Sequence, residues 1–189
     1  MVEEASDIRQ KLALLKEVIR GYGDMVLAFS GGKDSTLLIF IGSQVLKRDK
    51  LVAVTAVSPV KRDEERVLAE SLCLRLGITH RVVYTNEYRN PEFIKHPERR
   101  CLICKEELFK NLREISLEVK LKNIADGTSC DDIQKERAID SVSRRYGIKW
   151  PLVEAGIGTS DVMALLKQAG LEDYIRPHYT SCKPWEILF

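Results

Sequence analysis

No stretch of this 189-residue chain is apolar for long enough to cross a bilayer. The longest apolar run, Leu37 to Gly42, falls far short of the ~20 residues a spanning helix needs. Neither sign of charge dominates. Thirty Lys and Arg stand against 28 Asp and Glu, a formal net charge of +2, which leaves no strong electrostatic case for nucleic acid or an anionic membrane. Five cysteines, odd in number and unevenly spaced, argue against a secreted disulfide framework. A second Cys-x-x-Cys is missing, so a zinc ribbon has only half its ligands. Internal repeats and low-complexity tracts are absent. Residues Met1 to Asp7 are polar and acidic, without the basic and apolar regions of a signal peptide. The expectation is a cytoplasmic protein with no membrane partner.

Apolar residues make up 44% and charged ones 31% of the chain, an ordinary globular balance that a single domain over 1–189 satisfies. An N-terminal helix is expected within 1–22, over about 6–20, with Ile8, Leu12, Leu15 and Val18 on one face. Strands are expected at 25–29, 51–57, 81–84, 122–125 and 149–153, and helices at 36–47, 62–76, 104–118, 134–146 and 160–169. The strands are apolar on both faces and alternate with helices, which predicts an α/β fold with a doubly wound parallel five-stranded sheet. Gly77 and Gly147 follow helix patterns in the C′ role. Pro91 and Pro97 suggest that 86–100 is a polar loop. Ligands in such sheets lie beyond the carboxyl ends of the strands. That rule gathers 30–35, 56–60, 86–104 and 126–132 around one crevice.

Ser30-Gly31-Gly32-Lys33-Asp34-Ser35 sits where the first strand hands over to a helix. Two glycines let the backbone approach a ligand, and amides at a helix start form an anion site. Lys33 adds charge; Ser30 and Ser35 add hydroxyls. The spacing is not that of the Walker loop. It resembles the SGGxDS loop of the PP-loop ATP pyrophosphatases, which grip the β and γ phosphates and cut ATP to AMP and pyrophosphate. The resemblance implies an adenine nucleotide alpha hydrolase-like fold, with Lys33 and Asp34 catalytic. It also implies that adenine lies at the end of strand 51–57, near Ala56.

Cys101-Leu-Ile-Cys104 opens a helix and by itself is a weak signal. Its neighbours say more. Asn90-Pro-Glu-Phe93, Arg100-Cys101-x-x-Cys104-Lys105 and Glu107-Leu-Phe109 resemble a stretch of the LarE family, the ATP-dependent sacrificial sulfur transferases of the PP-loop superfamily. Thr55-Ala-Val-Ser-Pro59, Asp126-Gly-Thr-x-x-Asp131-Asp132, Pro151-Leu-x-Glu-Ala-Gly156 and Arg176-Pro177…Cys182 extend it from about residue 24 to 182. The resemblance implies an enzyme that adenylates an acceptor, releases pyrophosphate and delivers sulfur, with Cys182 as the sulfur-handling position. Members that carry the Cys-x-x-Cys are held to ligate a [4Fe-4S] cluster through three cysteines, here Cys101, Cys104 and Cys182. A sulfur-rich site of this kind selects iron–sulfur, copper(I) or zinc, so Zn²⁺ is the alternative, and three thiolates leave one cluster iron open. Arg99, Arg100, Lys105 and Lys183 beside these cysteines would lower their pKa.

In place of the family's lysine in the Lys-Pro pair this chain has Arg176, and it ends seven residues after Cys182. Full-length family members continue into a further domain, so a homo-oligomer or a partner chain supplying that region is expected. A tail over 170–189 would have to return to the crevice to bring Cys182 in. Asp126, Thr128 and Asp131 are placed at the nucleotide. Asp34 and the pair Asp131/Asp132 are candidate Mg²⁺ holders, or Asp131 and Asp132 cap the helix that follows. Cys73 falls in an apolar pattern as a buried hydrophobe, and Cys130 is read as incidental. His80 reads as structural, while His178 could orient Cys182. Two other classes remain open at this stage: a tRNA thiolase, and a non-catalytic ATP or metal sensor. The acceptor is a small molecule or tRNA, beside a separate sulfur donor.

Overall fold

The computed structural model describes residues 2–61, 63–135 and 137–175. Chain order runs α1 (Val2–Tyr22), β1 (Met25–Ala28), α2 (Lys33–Val45), β2 (Leu51–Val57), α3 (Asp63–Leu76), β3 (Thr79–Tyr84), α4 (Pro91–Lys95), α5 (Arg100–Val119), β4 (Ile124–Ala125), α6 (Cys130–Lys135), α7 (Arg137–Tyr146), β5 (Ile148–Lys149), α8 (Pro151–Glu154) and α9 (Thr159–Gln168). The strands form one parallel sheet in the order β3-β2-β1-β4-β5. The chain first builds outward from β1 to β3, then returns to the other side of β1 with β4. Connections therefore diverge between β1 and β4, which opens a crevice at their carboxyl ends.

Side-chain alternation along the strands divides the core into two layers. Met25, Leu27 and Phe29 pack with Leu15 and Ile19 of α1, Leu37, Leu38 and Ile41 of α2, and Leu165 of α9. Val26, Ala28, Val52, Val54 and Ile124 pack instead on Phe109, Leu112 and Ile115 of α5 and Val142 of α7. Strands buried on both faces explain the near-continuous apolar runs of β1 and β2. Gly77 and Gly147 take positive φ, 65° and 66°, and so end α3 and α7 in the conformation that favours glycine.

Three expectations shift. Residues 149–153 are not a strand: pairing stops at Lys149 and Pro151 opens α8, because proline cannot donate to a ladder but suits the first helical position. The same preference overturns the loop at 86–100. Pro91 opens α4, where the Asn90 side chain accepts from the Glu92 N–H at 2.9 Å, and Pro97 opens a 3₁₀ turn. The helix expected at 134–146 is described as α6 and α7 on either side of residue 136, and α6 starts four residues earlier than expected, at Cys130. Of the 170–189 tail, Tyr174 packs into the first core layer, and 176–189 lie outside the described residues.

A side-chain relay ties three adjacent strands together just below the crevice. Thr55 Oγ1 donates to the Phe29 carbonyl at 2.6 Å and has His80 Nε2 at 2.8 Å. The hydroxyl proton is committed to Phe29, so His80 supplies an Nε2–H to Thr55 Oγ1. The expected structural role of His80 thus has a definite form. Burial holds its pKa below the ordinary 6.5, with Glu70 opposing and Arg66 reinforcing. The unfolded chain then binds the extra proton first as pH falls, so this contribution to stability is present above pH 6.5 and lost in the interval below it. Urea unfolding midpoints should therefore drop between about pH 7.5 and pH 5.5, and drop less in His80→Gln.

Candidate functional site

Five residues after the start of β1 the chain turns sharply into α2. Gly31 takes φ 83°, and Gly32 caps the helix in an extended conformation. Ser30 Oγ accepts from the Gly32 N–H at 3.2 Å and lies 3.2 Å from Ser35 Oγ, which donates to the Gly32 carbonyl at 3.1 Å. The loop is thus preformed by its own two serines, with the first amides of α2 at its floor. Lys33 Nζ is held by both oxygens of Asp34, at 2.9 and 2.7 Å. Burial pushes the Asp34 carboxyl up, Lys33 opposes this, and the charge of Asp132 adds to it. Two carboxylates that feel one another at the mouth of an anion site suit a Mg²⁺ shared with phosphate oxygens.

The loop after β4 lies directly against this turn. A Cβ on Gly127 would stand 2.9 Å from the backbone nitrogen of Ser35 and 3.3 Å from Asp34. Asp126 is buried, accepts from the Thr128 N–H at 3.0 Å and has its other oxygen 3.6 Å from Lys105 Nζ. Thr128 is buried beside it. Asp131 and Asp132 divide their work. Asp132 accepts from the N–H and hydroxyl of Ser129, at 3.0 and 2.7 Å, which caps its own helix α6. Asp131 reaches forward to the start of α9, accepting from the Thr159 N–H at 2.6 Å. Of the two, Asp132 caps the helix that follows, as the alternative reading has it, while Asp131 caps a helix nearly thirty positions on.

Ala56 stands half-buried near the end of β2, paired with Val83. Cys101 is exposed and Cys104 half-buried in the first turns of α5. That helix packs against β1 and β4, so its cysteine-bearing end overhangs the crevice, with Lys105 touching the β4 loop. Arg100 is turned away, donating to the Phe93 and Ile94 carbonyls at 2.9 and 3.3 Å. On the other side, Cys104 Sγ lies 3.9 Å from Glu87 Oε1, which accepts from Ser58 Oγ at 2.7 Å. Among the described residues no three His, Cys, Asp or Glu are grouped to hold a metal ion. Cys182 and His178 lie outside the described residues.

Cys73 is buried and its thiol is pushed up to about 12 by desolvation, as befits a core hydrophobe. Burial also raises Cys130, with Asp131 adding to the effect, so neither thiol is activated. Sequence reasoning missed Gly127, Ser129 and Glu87. Glycine between Asp126 and Thr128 was the one local signal for the first. Glu87 carried none, being one acid in a polar segment until the fold buries it.

No protein-family model matches the chain. It is 33% identical over 170 residues to an uncharacterized protein of Synechocystis, covering 90% of this chain and 63% of that protein. It is 30% identical over 166 residues to the pyridinium-3,5-bisthiocarboxylic acid mononucleotide synthase of Lactiplantibacillus plantarum, covering 87% and 59%. The chain therefore spans about three fifths of the length of these curated relatives. Two solved structures share its fold. The U34-tRNA thiolase NcsA of Methanococcus maripaludis, with its [4Fe-4S] cluster, matches at TM-score 0.69 and 18% identity over 93% of this chain and 68% of its own. The NH3-dependent NAD synthetase of Campylobacter jejuni matches at 0.66 and 19% over 92% and 79%.

Gly127→Ala would force the two loops apart against backbone, so unfolding should be easier by about 1–3 kcal/mol, read from denaturant midpoints; a variant as stable as the parent would show that the loops do not touch. In strand order, in the Ser30–Ser35 turn and in these likenesses, the chain has the fold of the PP-loop ATP pyrophosphatase superfamily.

Proposed function

We propose that this chain is an ATP-dependent sulfur transferase domain that adenylates an acceptor oxygen and replaces it with sulfur, as in the LarE family. The observation that carries the reading is the meeting of two chemistries at one crevice: Lys105, next to Cys104, has its Nζ 3.6 Å from Asp126 on the loop that packs against Ser35. Two names among the relatives and neighbours support it, a synthase of a bisthiocarboxylic acid and a tRNA thiolase.

In this reading ATP lies with its β and γ phosphates on the amides of residues 31–35. An acceptor oxygen attacks the α-phosphorus, the bond to the β-phosphate oxygen breaks, and pyrophosphate leaves. Lys33 exchanges Asp34 for phosphate oxygens and offsets the charge that develops on the leaving group. Asp34 and Asp132 would hold Mg²⁺, which would offset phosphate charge there. Sulfur then attacks the adenylated carbon and AMP departs with the acceptor oxygen. Loop contact through Gly127 holds the phosphate site and the β4 loop in fixed relation, which is where positioning contributes most to rate.

The residues at the α5 end fit a sulfur-bound metal: two sulfurs one turn apart, basic neighbours, and a buried carboxylate oxygen without a partner among the described residues. Cys101, Cys104 and Cys182 would hold a [4Fe-4S] cluster, which when bound would supply sulfide to the activated carbon. Zn²⁺ in the same place would indicate a structural role instead.

ATP-dependent pyrophosphate release is expected from the parent chain with its acceptor and should be abolished in Lys33→Ala and Asp34→Ala, with the far-ultraviolet circular dichroism spectrum retained. Release at the parent rate in both variants would remove the nucleotide assignment. Protein purified without oxygen should be brown with about four irons per chain. Cys101→Ala, Cys104→Ala or Cys182→Ala should bleach it, whereas Cys73→Ala and Cys130→Ala should not; stoichiometric zinc without iron would overturn the cluster.

A further inference from the structure

Lys105 is a second lysine at the crevice, and no step of the proposed reaction uses it. It lies on α5, its side chain 29% exposed, and its Nζ stands 3.6 Å from Asp126 Oδ2. That distance makes an ion pair without a hydrogen bond, looser than the 2.7 Å clasp of Lys33 by Asp34. Its partner is far less accessible. The Asp126 side chain is 8% exposed, and Oδ1 is fixed by the Thr128 N–H at 3.0 Å. A buried carboxylate is tolerated beside a cation. Here the cation is the reachable member of the pair, a compact charge with three donors that can turn to a second anion.

We infer that Lys105 is a catalytic residue that contacts the α-phosphoryl group of the nucleotide, and that Asp126 competes with that group for it. This rests on the nucleotide site of the proposed function and adds to it. In that reading the β and γ phosphates lie on the amides of residues 31–35 beside Lys33, so the α-phosphoryl group falls at the edge of the same helix start. The β4 loop abuts this place, since a Cβ on Gly127 would meet the Ser35 nitrogen at 2.9 Å and Asp34 at 3.3 Å. Lys105 reaches the loop from α5. An ammonium group there offsets charge on the non-bridging oxygens while the acceptor oxygen bonds to phosphorus and pyrophosphate departs. Asp126 keeps the lysine aimed at the crevice until nucleotide binds. Once it has bound, the buried carboxylate stays close and weakens the contact by competition and repulsion.

The test is calorimetric titration of the full chain with AMP, with adenosine and with pyrophosphate, each in the presence of Mg²⁺. The unsubstituted chain should bind AMP more tightly than adenosine. Lys105→Ala should reduce that preference about tenfold, the effect of losing one charge-assisted hydrogen bond, and Lys105→Arg should restore part of it. Asp126→Asn keeps an oxygen for the Thr128 N–H and removes the competing charge, so it should raise AMP affinity severalfold relative to adenosine. A lysine that only ties α5 to the β4 loop predicts the other sign, with AMP and adenosine weakened together in both variants. That outcome, or an AMP preference unchanged in Lys105→Ala, would overturn the inference and leave the nucleotide site standing. If Lys105→Ala does not fold, Asp126→Asn decides alone: tighter AMP supports the inference, and unchanged or weaker AMP overturns it. Pyrophosphate binding without any preference for AMP over adenosine in the unsubstituted chain would also overturn it. Failure of all three ligands to bind the unsubstituted chain would overturn the inference and the nucleotide site together.

Discussion

Backbone contact between Gly127 and Ser35 is the constraint on which the crevice depends. Loops leaving β1 and β4 diverge because the chain reverses its direction of sheet building between those strands. Left to diverge, they would make a gap. A glycine on one and a helix start on the other allow them to touch, so that amides of α2 and the side chains of the β4 loop face a common space. From there the other parts take their positions. Asp126 reaches Lys105 of α5, Asp131 reaches the start of α9, and the cysteine turn is carried over the opening.

Charges in this space are arranged in advance and paired with one another. Lys33 is clasped by Asp34, Lys105 leans on Asp126, and Asp132 is spent on Ser129. In the proposed function an incoming nucleotide would therefore exchange ion pairs and not meet bare charges. That arrangement keeps two half-buried lysines and a buried aspartate compatible with folding, since burying a lone charge is prohibitive. In the proposed function it would also order events, with phosphate taking Lys33 before Asp34 is released toward a cation. Glu87 stands apart from this pattern, with Oε1 held by Ser58 and Oε2 buried without a hydrogen-bond partner among the described residues.

Much of the framework follows from local rules. Continuous apolar strands, alternating helices and Gly77 and Gly147 at helix ends state a doubly wound parallel sheet in one dimension, because burial on both faces and left-handed turns have direct residue signatures. The Ser30–Ser35 turn is likewise legible, since its hydrogen bonds close within six residues. Even the proline positions carried the right information. Pro91, Pro97 and Pro151 mark helical starts; reading Pro91 as a breaker concealed α4, and reading 149–153 as a strand concealed α8.

What tertiary structure decided is the set of relations between distant segments. Asp131 and Asp132 are adjacent and chemically alike, yet one caps its own helix and the other caps α9, and no local pattern separates them. Glu87 became a buried carboxylate beside a thiol because α5 packs against the 3₁₀ turn that follows β3, not because of its neighbours in sequence. Short-range hydrogen bonds and periodic burial are encoded where they occur. Contacts between loops depend on where the sheet sends each strand, and that is settled when the whole core packs.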